Sequence, residues 1–374
     1  MNPITTSHPW KRDMLDYIPS LRSIAGAALL ALAAGLLIPR PSAKGESPPP
    51  PRGKLVVCCT VRSIGSIAEE VGGDACEVSS FAKGAENPHF IDARPSFVKT
   101  LAGADLFVEQ GLELEVGWAP VILQQSRNTK VQPGAPGFLD ASTAISPLER
   151  PTGPVDRSMG DVHQAGNPHY MTDPVNGIRV ARVIRDKLSE LRPADRAGFE
   201  SRCAAFEKKV CVALVGAKLA NQYPTDTVVK LAQLNESGKL KDFLEKQGKL
   251  ADLDGWLGML LPYAGTKAIS DHNQWVYFAN RFGLDMVGYL EPKPGISPTT
   301  SHLGELVKLI PVRGVKIVFA SPGFDPKSGE FVASKTGIKF LVLAHEVGAL
   351  DAASSYIEMI DFDVKQIESA LRKT

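Results

Sequence analysis

Residues 166–191 read GNPHYMTDPVNGIRVARVIRDKLSEL and place a histidine-bearing loop directly before a predicted helix. Asp173 is a favourable N-cap and Pro174 a favourable first-turn residue, because one accepts a free backbone N–H and the other has none to satisfy. Apolar residues then recur at spacings of three and four as far as Leu191, which predicts an amphipathic helix. The stretch therefore predicts a sharp loop-to-helix junction with His169 just ahead of it.

Short apolar runs alternate with helical patterns on both sides of this junction. Upstream, KLVVCCTV (54–61) and DLFVEQ (105–110) have the composition of buried strands, and downstream VKIVFAS (315–321) and KFLVLA (339–344) do the same. Strands that alternate with helices indicate parallel βαβ units. The sequence predicts an α/β fold of two lobes, each with a parallel-rich sheet flanked by helices.

One long helical pattern, residues 194–220, separates the two alternating regions and predicts a single rigid connecting helix. The N-terminal α/β lobe is then expected at 54–193 and the C-terminal α/β lobe at 221–374. The polar segment 229–254 matches neither a strand nor a helix pattern and is not assigned.

The first fifty residues differ from the rest. Basic residues precede the uncharged run IAGAALLALAAGLLI (24–38), which as a helix would span roughly 22 Å, less than a bilayer core. Residues 1–38 therefore resemble a signal peptide or an N-terminal anchor, and the proline-rich 39–53 resembles a linker. We expect a periplasmic or otherwise extracytoplasmic location, secreted or membrane-anchored.

Composition and cysteines narrow the function classes. The 374 residues carry a net charge of +1, so no basic surface predicts nucleic-acid binding. The cysteines are predicted to be small buried hydrophobes, although Cys76 could meet Cys58 or Cys59 across neighbouring strands; the set is Cys58, Cys59, Cys76, Cys203 and Cys211.

Four histidines are candidate ligands of a divalent metal ion. The tetrapeptide Asn-Pro-His-aromatic occurs twice, with His89 and His169, and two more histidines, His272 and His345, follow predicted strands. The carboxyl ends of parallel strands are where open α/β sheets bind ligands. Three imidazoles and one carboxylate, such as Glu346, suit a transition metal. For His163 and His302 an ordinary structural role is favoured.

The motifs GDVHQAGNPHYMTDPVNG (160–177), NPHFIDARPS (87–96), GLELEVGW (111–118) and SSYIEMIDFDV (354–364) occur in the order found in a known family. The chain resembles the ZnuA-like substrate-binding proteins of zinc and manganese ABC importers over essentially all of 54–374. The resemblance implies two lobes that hold a metal in the cleft between them, close only slightly, and deliver the ion to a membrane permease. We expect a monomer with no enzymatic activity.

The resemblance also implies the ligands. His89 and His169 would come from the first lobe and His272 from the second, where manganese members often have glutamate, so zinc is favoured and manganese remains an alternative. The fourth ligand of the family is usually an aspartate. Here AHEVGALD (344–351) offers Glu346, which we favour, with His345 close behind and Asp351 more distant. Metal ligands must be deprotonated, so affinity should fall as pH drops through the histidine range.

Two other functions remain open from the sequence. A mononuclear zinc hydrolase would use Glu346 as general base beside a metal-bound water, but the chain lacks the HExxH and Gly-x-Ser-x-Gly motifs. An adhesin or interaction protein with an incidental metal would fit the linker and the possible anchor equally well.

Overall fold

The structure is a computed structural model that describes residues 53–372, except for the side chain of Arg157. The predicted signal or anchor segment (1–38) and almost all of the predicted linker (39–53) lie outside the described residues. Within the described range, no helix is long and apolar enough to cross a membrane.

The N-terminal half alternates strands and helices as predicted. Its elements are β1 (Leu55–Cys59), α1 (Arg62–Gly72), β2 (Cys76–Ser80), α2 (Pro95–Ala102), β3 (Leu106–Glu109), α3 (Ala119–Ser126), β4 (Phe138–Asp140) and α4 (Pro174–Leu191). All strands are parallel, in the order β2-β1-β3-β4. The central strand β1 is almost wholly buried, which explains its continuous apolar sequence.

The C-terminal half repeats this arrangement. Its elements are β5 (Lys267–Ser270), α10 (Val276–Phe282), β6 (Asp285–Tyr289), α11 (Thr300–Arg313), β7 (Ile317–Ala320), α12 (Lys327–Thr336), β8 (Lys339–Val342) and α13 (Tyr356–Arg372). The parallel order is β6-β5-β7-β8. The predicted α/β class and the two parallel sheets flanked by helices are therefore confirmed.

A group of helices connects the halves: α5 (Arg196–Val215), α6 (Ala217–Gln222), α7 (Thr225–Glu236), α8 (Leu240–Lys246) and α9 (Gly255–Leu260). Helix α5 is the long joining helix, since it packs on α1 and α4 and also on α7 and α9. It does not run unbroken to residue 220 as predicted. Gly216, at φ 85°, ends it in a conformation that other residues rarely adopt.

The structure also assigns the segment 229–254 and shows the state of the cysteines. The unassigned segment 229–254 is mostly helical, since it contains the end of α7 and all of α8. The cysteines of the described chain are all free and buried, as the prediction of small buried hydrophobes required. The exact borders of the two lobes stay a prediction.

Buried polar contacts fasten the loop at 167–173 to the C-terminal half. The guanidinium of Arg281 binds both carboxylate oxygens of Asp173, at 2.8 and 2.9 Å. The hydroxyl of Tyr277 donates to the carbonyl of Asn167 at 2.7 Å, and that of Tyr356 donates to the carbonyl of Met171 at 2.9 Å. The loop that carries His169 is therefore held by residues of the C-terminal half.

Candidate metal centre

The candidate ligands sit on loops at the carboxyl ends of the strands. His89 lies in the short turn Pro88–Phe90 that follows β2, His272 comes two residues after the end of β5, and His345 follows β8. His169 lies immediately before the turn that leads into α4. Topology thus brings loops from distant parts of the chain to one place.

Three imidazoles converge at this place. One ring nitrogen each of His89, His169 and His272 lies within 4.8 Å of the others, and all three residues are buried. The Nε2 atoms of His89 and His169 are 3.0 Å apart. The ring centroid of His272 lies 5.8 Å from that of His89 and 5.2 Å from that of His169. This spacing lets a single small cation contact all three rings.

Oxygen acceptors orient two of these rings. Asn167 Oδ1 lies 3.0 Å from His169 Nδ1, and Glu291 Oε2 lies 2.7 Å from His272 Nδ1. Because an amide or carboxylate oxygen accepts, each neutral ring carries its proton on Nδ1 and presents the Nε2 lone pair. Such partners are typical of histidines that bind metal.

The asparagines explain why the Asn-Pro-His motif occurs twice. Asn87 Oδ1 accepts from the backbone N–H of His89, and Asn167 Oδ1 accepts from that of His169, both at 3.0 Å. Each asparagine side chain therefore closes a tight turn around the following histidine. The indole of Trp118, from the motif GLELEVGW, donates to the carbonyl of Pro88 at 2.9 Å and fixes the first turn.

The end of β3 holds the second turn. The Gln110 side-chain amide donates to the carbonyl of Pro168, and the Tyr170 hydroxyl donates to the carbonyl of Gln110, both at 2.6 Å. Glu115 accepts from the backbone N–H groups of Gln110 and Gly111 at 2.7 and 3.1 Å. These bonds position His169 relative to the N-terminal sheet.

His345 lies beside the three rings. Its ring centroid is 5.3 Å from that of His169, in an edge-on arrangement, and 6.1 Å from that of Trp275. Burial lowers the pKa of His345 to about 3, so the imidazole is neutral at physiological pH. This residue is therefore a neighbour of the cluster and a candidate for a fourth nitrogen ligand.

Glu346, favoured from the sequence as the fourth ligand, has a different environment. Its Oε2 accepts from the backbone N–H and the hydroxyl of Ser63, at 2.9 and 2.6 Å, at the start of α1. Burial raises its pKa to about 7, while the bonds from Ser63 act in the opposite direction. In the described chain neither group of clustered ligand atoms includes Glu346 or His345, and Asp351 is exposed. The identity of the fourth ligand therefore stays a prediction.

Asp271 precedes His272 but does not cap a helix, since α10 starts only at Val276. Its carboxylate instead accepts from the backbone N–H groups of His272, at 2.7 Å, and Ser321, at 2.6 Å. It ties the loops after β5 and β7 together and fixes the backbone at His272.

A second group of possible ligands was not expected from the sequence. His89, Asp161 and His163 also offer three atoms within 4.8 Å of one another. The His163 ring stacks on that of His89, with centroids 5.1 Å apart. The signal was present in GDVH (160–163), six residues before His169, but a lone loop histidine is usually structural.

Replacing Glu291 with glutamine tests the orienting role of this carboxylate. A glutamine amide can turn its NH2 group toward His272 Nδ1 and so destabilise the tautomer that presents Nε2. Loss of such a partner typically weakens metal binding about 10–100-fold. Competition with a zinc chelator measures this, and an unchanged affinity would show that Glu291 does not orient the ligand. Exposed Glu330→Gln on α12 is the matched control.

The fold and the site together define a two-part α/β protein with a buried, histidine-rich candidate metal centre. The family described as "Zinc-uptake complex component A periplasmic" (ZnuA) matches residues 57–213 and 225–370. The chain belongs to this family, and curated relatives of the chain are named as a high-affinity zinc uptake system protein and a manganese-binding lipoprotein.

Individual relatives are distant. The zinc-binding lipoprotein AdcA of Streptococcus pneumoniae is 21% identical over 323 residues, which cover 84% of this chain and 56% of AdcA. The chain thus spans little more than half of the first curated relatives it matches. The high-affinity zinc uptake system protein ZnuA of Yersinia pestis is 23% identical over 300 residues, covering 76% of this chain and 80% of that protein.

Solved structures share the fold. A zinc-bound ZnuA deletion mutant superposes with a TM-score of 0.62 at 22% identity, covering 85% of this chain and 98% of the other. A manganese-bound periplasmic metal binding protein from Candidatus Liberibacter asiaticus gives 0.59 at 18% identity, covering 85% and 100%. At these identities the likeness concerns the fold alone.

Proposed function

We propose that this protein is an extracytoplasmic receptor that binds one divalent transition metal ion and delivers it to the permease of an ABC importer. The observation that carries the proposal is the convergence of His89, His169 and His272, which come from both halves and have their ring nitrogens within 4.8 Å. Relatives named for zinc and for manganese binding support the same class of ligand.

The proposed ligand set is His89, His169 and His272, with His345 as the fourth member. Four imidazoles form a nitrogen-rich site, which suits zinc better than manganese, since manganese prefers carboxylate and carbonyl oxygens. Glu346 has a structural role in this proposal, because Ser63 already donates two hydrogen bonds to it. The same contacts argue against Glu346 as the base of a hydrolase.

Titration of the metal-free protein tests this proposal. Calorimetry should give one zinc ion per chain, and manganese should bind more weakly to the same site, displaced by zinc. Reconstitution with the cognate permease and ATPase in vesicles should then make zinc uptake depend on the chain. Absence of zinc binding by the folded protein would overturn the proposal, and binding without uptake would overturn its transport part.

The pH dependence of zinc binding follows from burial. Burial, reinforced by neighbouring imidazoles, lowers the pKa of His89 and His169 well below the usual range. Two exposed imidazoles with a pKa of about 6.5 would lose roughly 15-fold in affinity between about pH 7.5 and about pH 6.0. The lowered pKa values of His89 and His169 remove most of this loss, so we expect a decrease clearly smaller than about 15-fold, which competition titrations at both pH values measure.

The lowered pKa values of His89 and His169 also make the stability of the metal-free protein depend on pH. The unfolded chain takes up protons on these two histidines as pH falls through about 6.5, while the folded chain does so only at lower pH. The free energy of unfolding should therefore decrease as pH drops below about 6.5. Urea unfolding at several pH values checks this, and a constant midpoint would contradict the buried, neutral state of the rings.

A further inference from the structure

The second group of ligand atoms contains two that are unsatisfied. Among the described residues, Asp161 Oδ2 and His163 Nε2 are buried side-chain atoms without a hydrogen-bond partner. Asp161 Oδ2 lies only 3.1 Å from His89 Nδ1, but the two are not aligned for a hydrogen bond. His163 as a whole is 9% exposed. Buried polar atoms without partners are costly, and unpaired ones often mark the place of an ion.

The distances between these atoms fit a coordination shell. Two ligands of a tetrahedral zinc ion, each about 2.0–2.1 Å from the metal, lie about 3.3 Å from each other. Each oxygen of the Asp161 carboxylate faces one imidazole: Oδ2 lies 3.1 Å from His89 Nδ1, and Oδ1 lies 3.6 Å from His163 Nε2. One ligand atom from each of the three residues lies within 4.8 Å of the others. A carboxylate between two imidazoles is also a common donor set for divalent transition metals.

This group lies closer to solvent than the three-histidine cluster. Asp161 and His163 line a cavity of about 230 Å³ that continues inward to His169 and His272. The side chain of Asp161 is 23% exposed, whereas His169 and His272 are 3% and 4% exposed. Asp161 is therefore the most exposed of these residues, and an ion that enters through the cavity meets its carboxylate before the buried rings of His169 and His272.

Main-chain contacts hold the loop of Asp161 in place. Its backbone N–H donates to the carbonyl of Pro294 at 2.8 Å. The preceding Gly160, at φ 82°, comes so near that a Cβ there would lie 2.3 Å from the same carbonyl. Gly295, which follows Pro294, donates its backbone N–H to the carboxylate of Glu291, and this carboxylate also contacts His272 Nδ1. The loop is thus built against the C-terminal half.

We propose that His89, Asp161 and His163 form an outer metal position that captures the ion before it moves to the inner position of His89, His169 and His272. This inference rests on the proposed function of the chain as a metal receptor. The outer position takes a divalent transition metal with nitrogen and carboxylate ligands.

The shared residue His89 makes the two positions alternatives. Its Nδ1 faces Asp161 and its Nε2 faces His169. A neutral imidazole has one lone pair and one N–H, so a metal on Nδ1 requires the proton on Nε2, and a metal on Nε2 requires it on Nδ1. Transfer inward breaks the bond from the metal to Nδ1 and forms one to Nε2; the Nε2 proton passes to solvent water, and Nδ1 takes up a proton from solvent water, so the number of protons on the ring is unchanged. One ion per chain is bound in either state.

Removing the inner imidazoles isolates the outer position. The double variant His169→Ala/His272→Ala of the full chain should still bind one Co2+, more weakly than wild type, with the spectrum of a mixed nitrogen and oxygen site. Adding His163→Ala should weaken this residual binding at least about tenfold, as is typical when a contributing group is lost. Adding His302→Ala instead, on α11, should leave it unchanged.

Equal Co2+ affinity with and without His163, in variants whose circular dichroism shows folded protein, would overturn the outer position. A double variant that is folded and binds no Co2+ would overturn it too. The single variant His163→Asn provides a second measurement if the multiple variants do not fold: zinc capture in stopped flow should slow about tenfold, and an unchanged rate would contradict the proposal. Failure of wild type to bind zinc would instead refute the proposed function itself.

Discussion

Replacing His169 with alanine is expected to abolish stable zinc binding. The ring of His169 is in contact with those of His89, His272 and His345, so its loss removes the central member of the cluster. Loss of a group that only orients a ligand costs about 10–100-fold in affinity, so loss of the ligand itself should cost more than about 100-fold. Metal analysis of the purified chain should fall from about one zinc per chain to a small fraction.

Two controls separate loss of a ligand from loss of fold. His302→Ala removes an imidazole whose ring contacts the carbonyl of Tyr289, and it should retain wild-type zinc content. His169→Gln keeps a polar side chain of similar size and should also lose zinc if coordination matters. Wild-type zinc content in folded His169→Ala would refute the assignment of this residue as a ligand.

Asp173→Ala is expected to have the largest effect on stability. Arg281 is 1% exposed and binds both oxygens of Asp173. The same carboxylate accepts from the backbone N–H of Val175 and caps α4. Removing Asp173 leaves a buried guanidinium whose remaining carboxylate partner, among residues 53–372, is Glu236. Breaking a buried pair in this way costs about 3–5 kcal/mol.

Urea unfolding of the metal-free protein measures this cost. Lys209→Ala is the matched control, because Lys209 pairs with Glu70 at 2.8 Å on the surface, where both side chains are well exposed. Its loss should cost less than about 1 kcal/mol. Similar unfolding midpoints for the two variants would show that the Asp173–Arg281 pair does not hold the halves together.

Local sequence patterns accounted for most of the fold. The apolar run of β1 and the spacing of apolar residues in α4 are local signals, and both elements are present as predicted. The sequence did not predict the break at Gly216 or the short helices in 229–254, and the reason lies in the local sequence. Gly238 and Gly248, both with positive φ, divide that segment into pieces too short for a clear helical period.

The candidate site was predicted less completely, because part of it depends on contacts that spacing does not encode. The doubled Asn-Pro-His motif indicated His89 and His169, but the asparagine contacts that explain the motif became visible only in three dimensions. His345 and Glu346 are neighbours in the sequence, but they lie in a bend after β8, where no strand or helix period gives the direction of a side chain. In the structure His345 lies beside His169, and Glu346 reaches Ser63 on α1.

His163 and Asp161 could not be assigned from the sequence for a related reason. Their loop meets the C-terminal half through the carbonyl of Pro294, more than a hundred residues away. No periodicity predicts that a loop will fold back toward a site formed by other loops. The pairing of Glu291 with His272 is of the same kind, since the two residues follow neighbouring strands, β6 and β5.

A crystal structure of the zinc-loaded protein, with anomalous data on both sides of the zinc edge, tests the central claim most directly. We predict one dominant anomalous peak per chain, bonded at about 2.0–2.1 Å to Nε2 of His89, His169 and His272. A peak bonded to none of these three nitrogens, or no peak in crystals grown with excess zinc, would contradict the proposed metal centre.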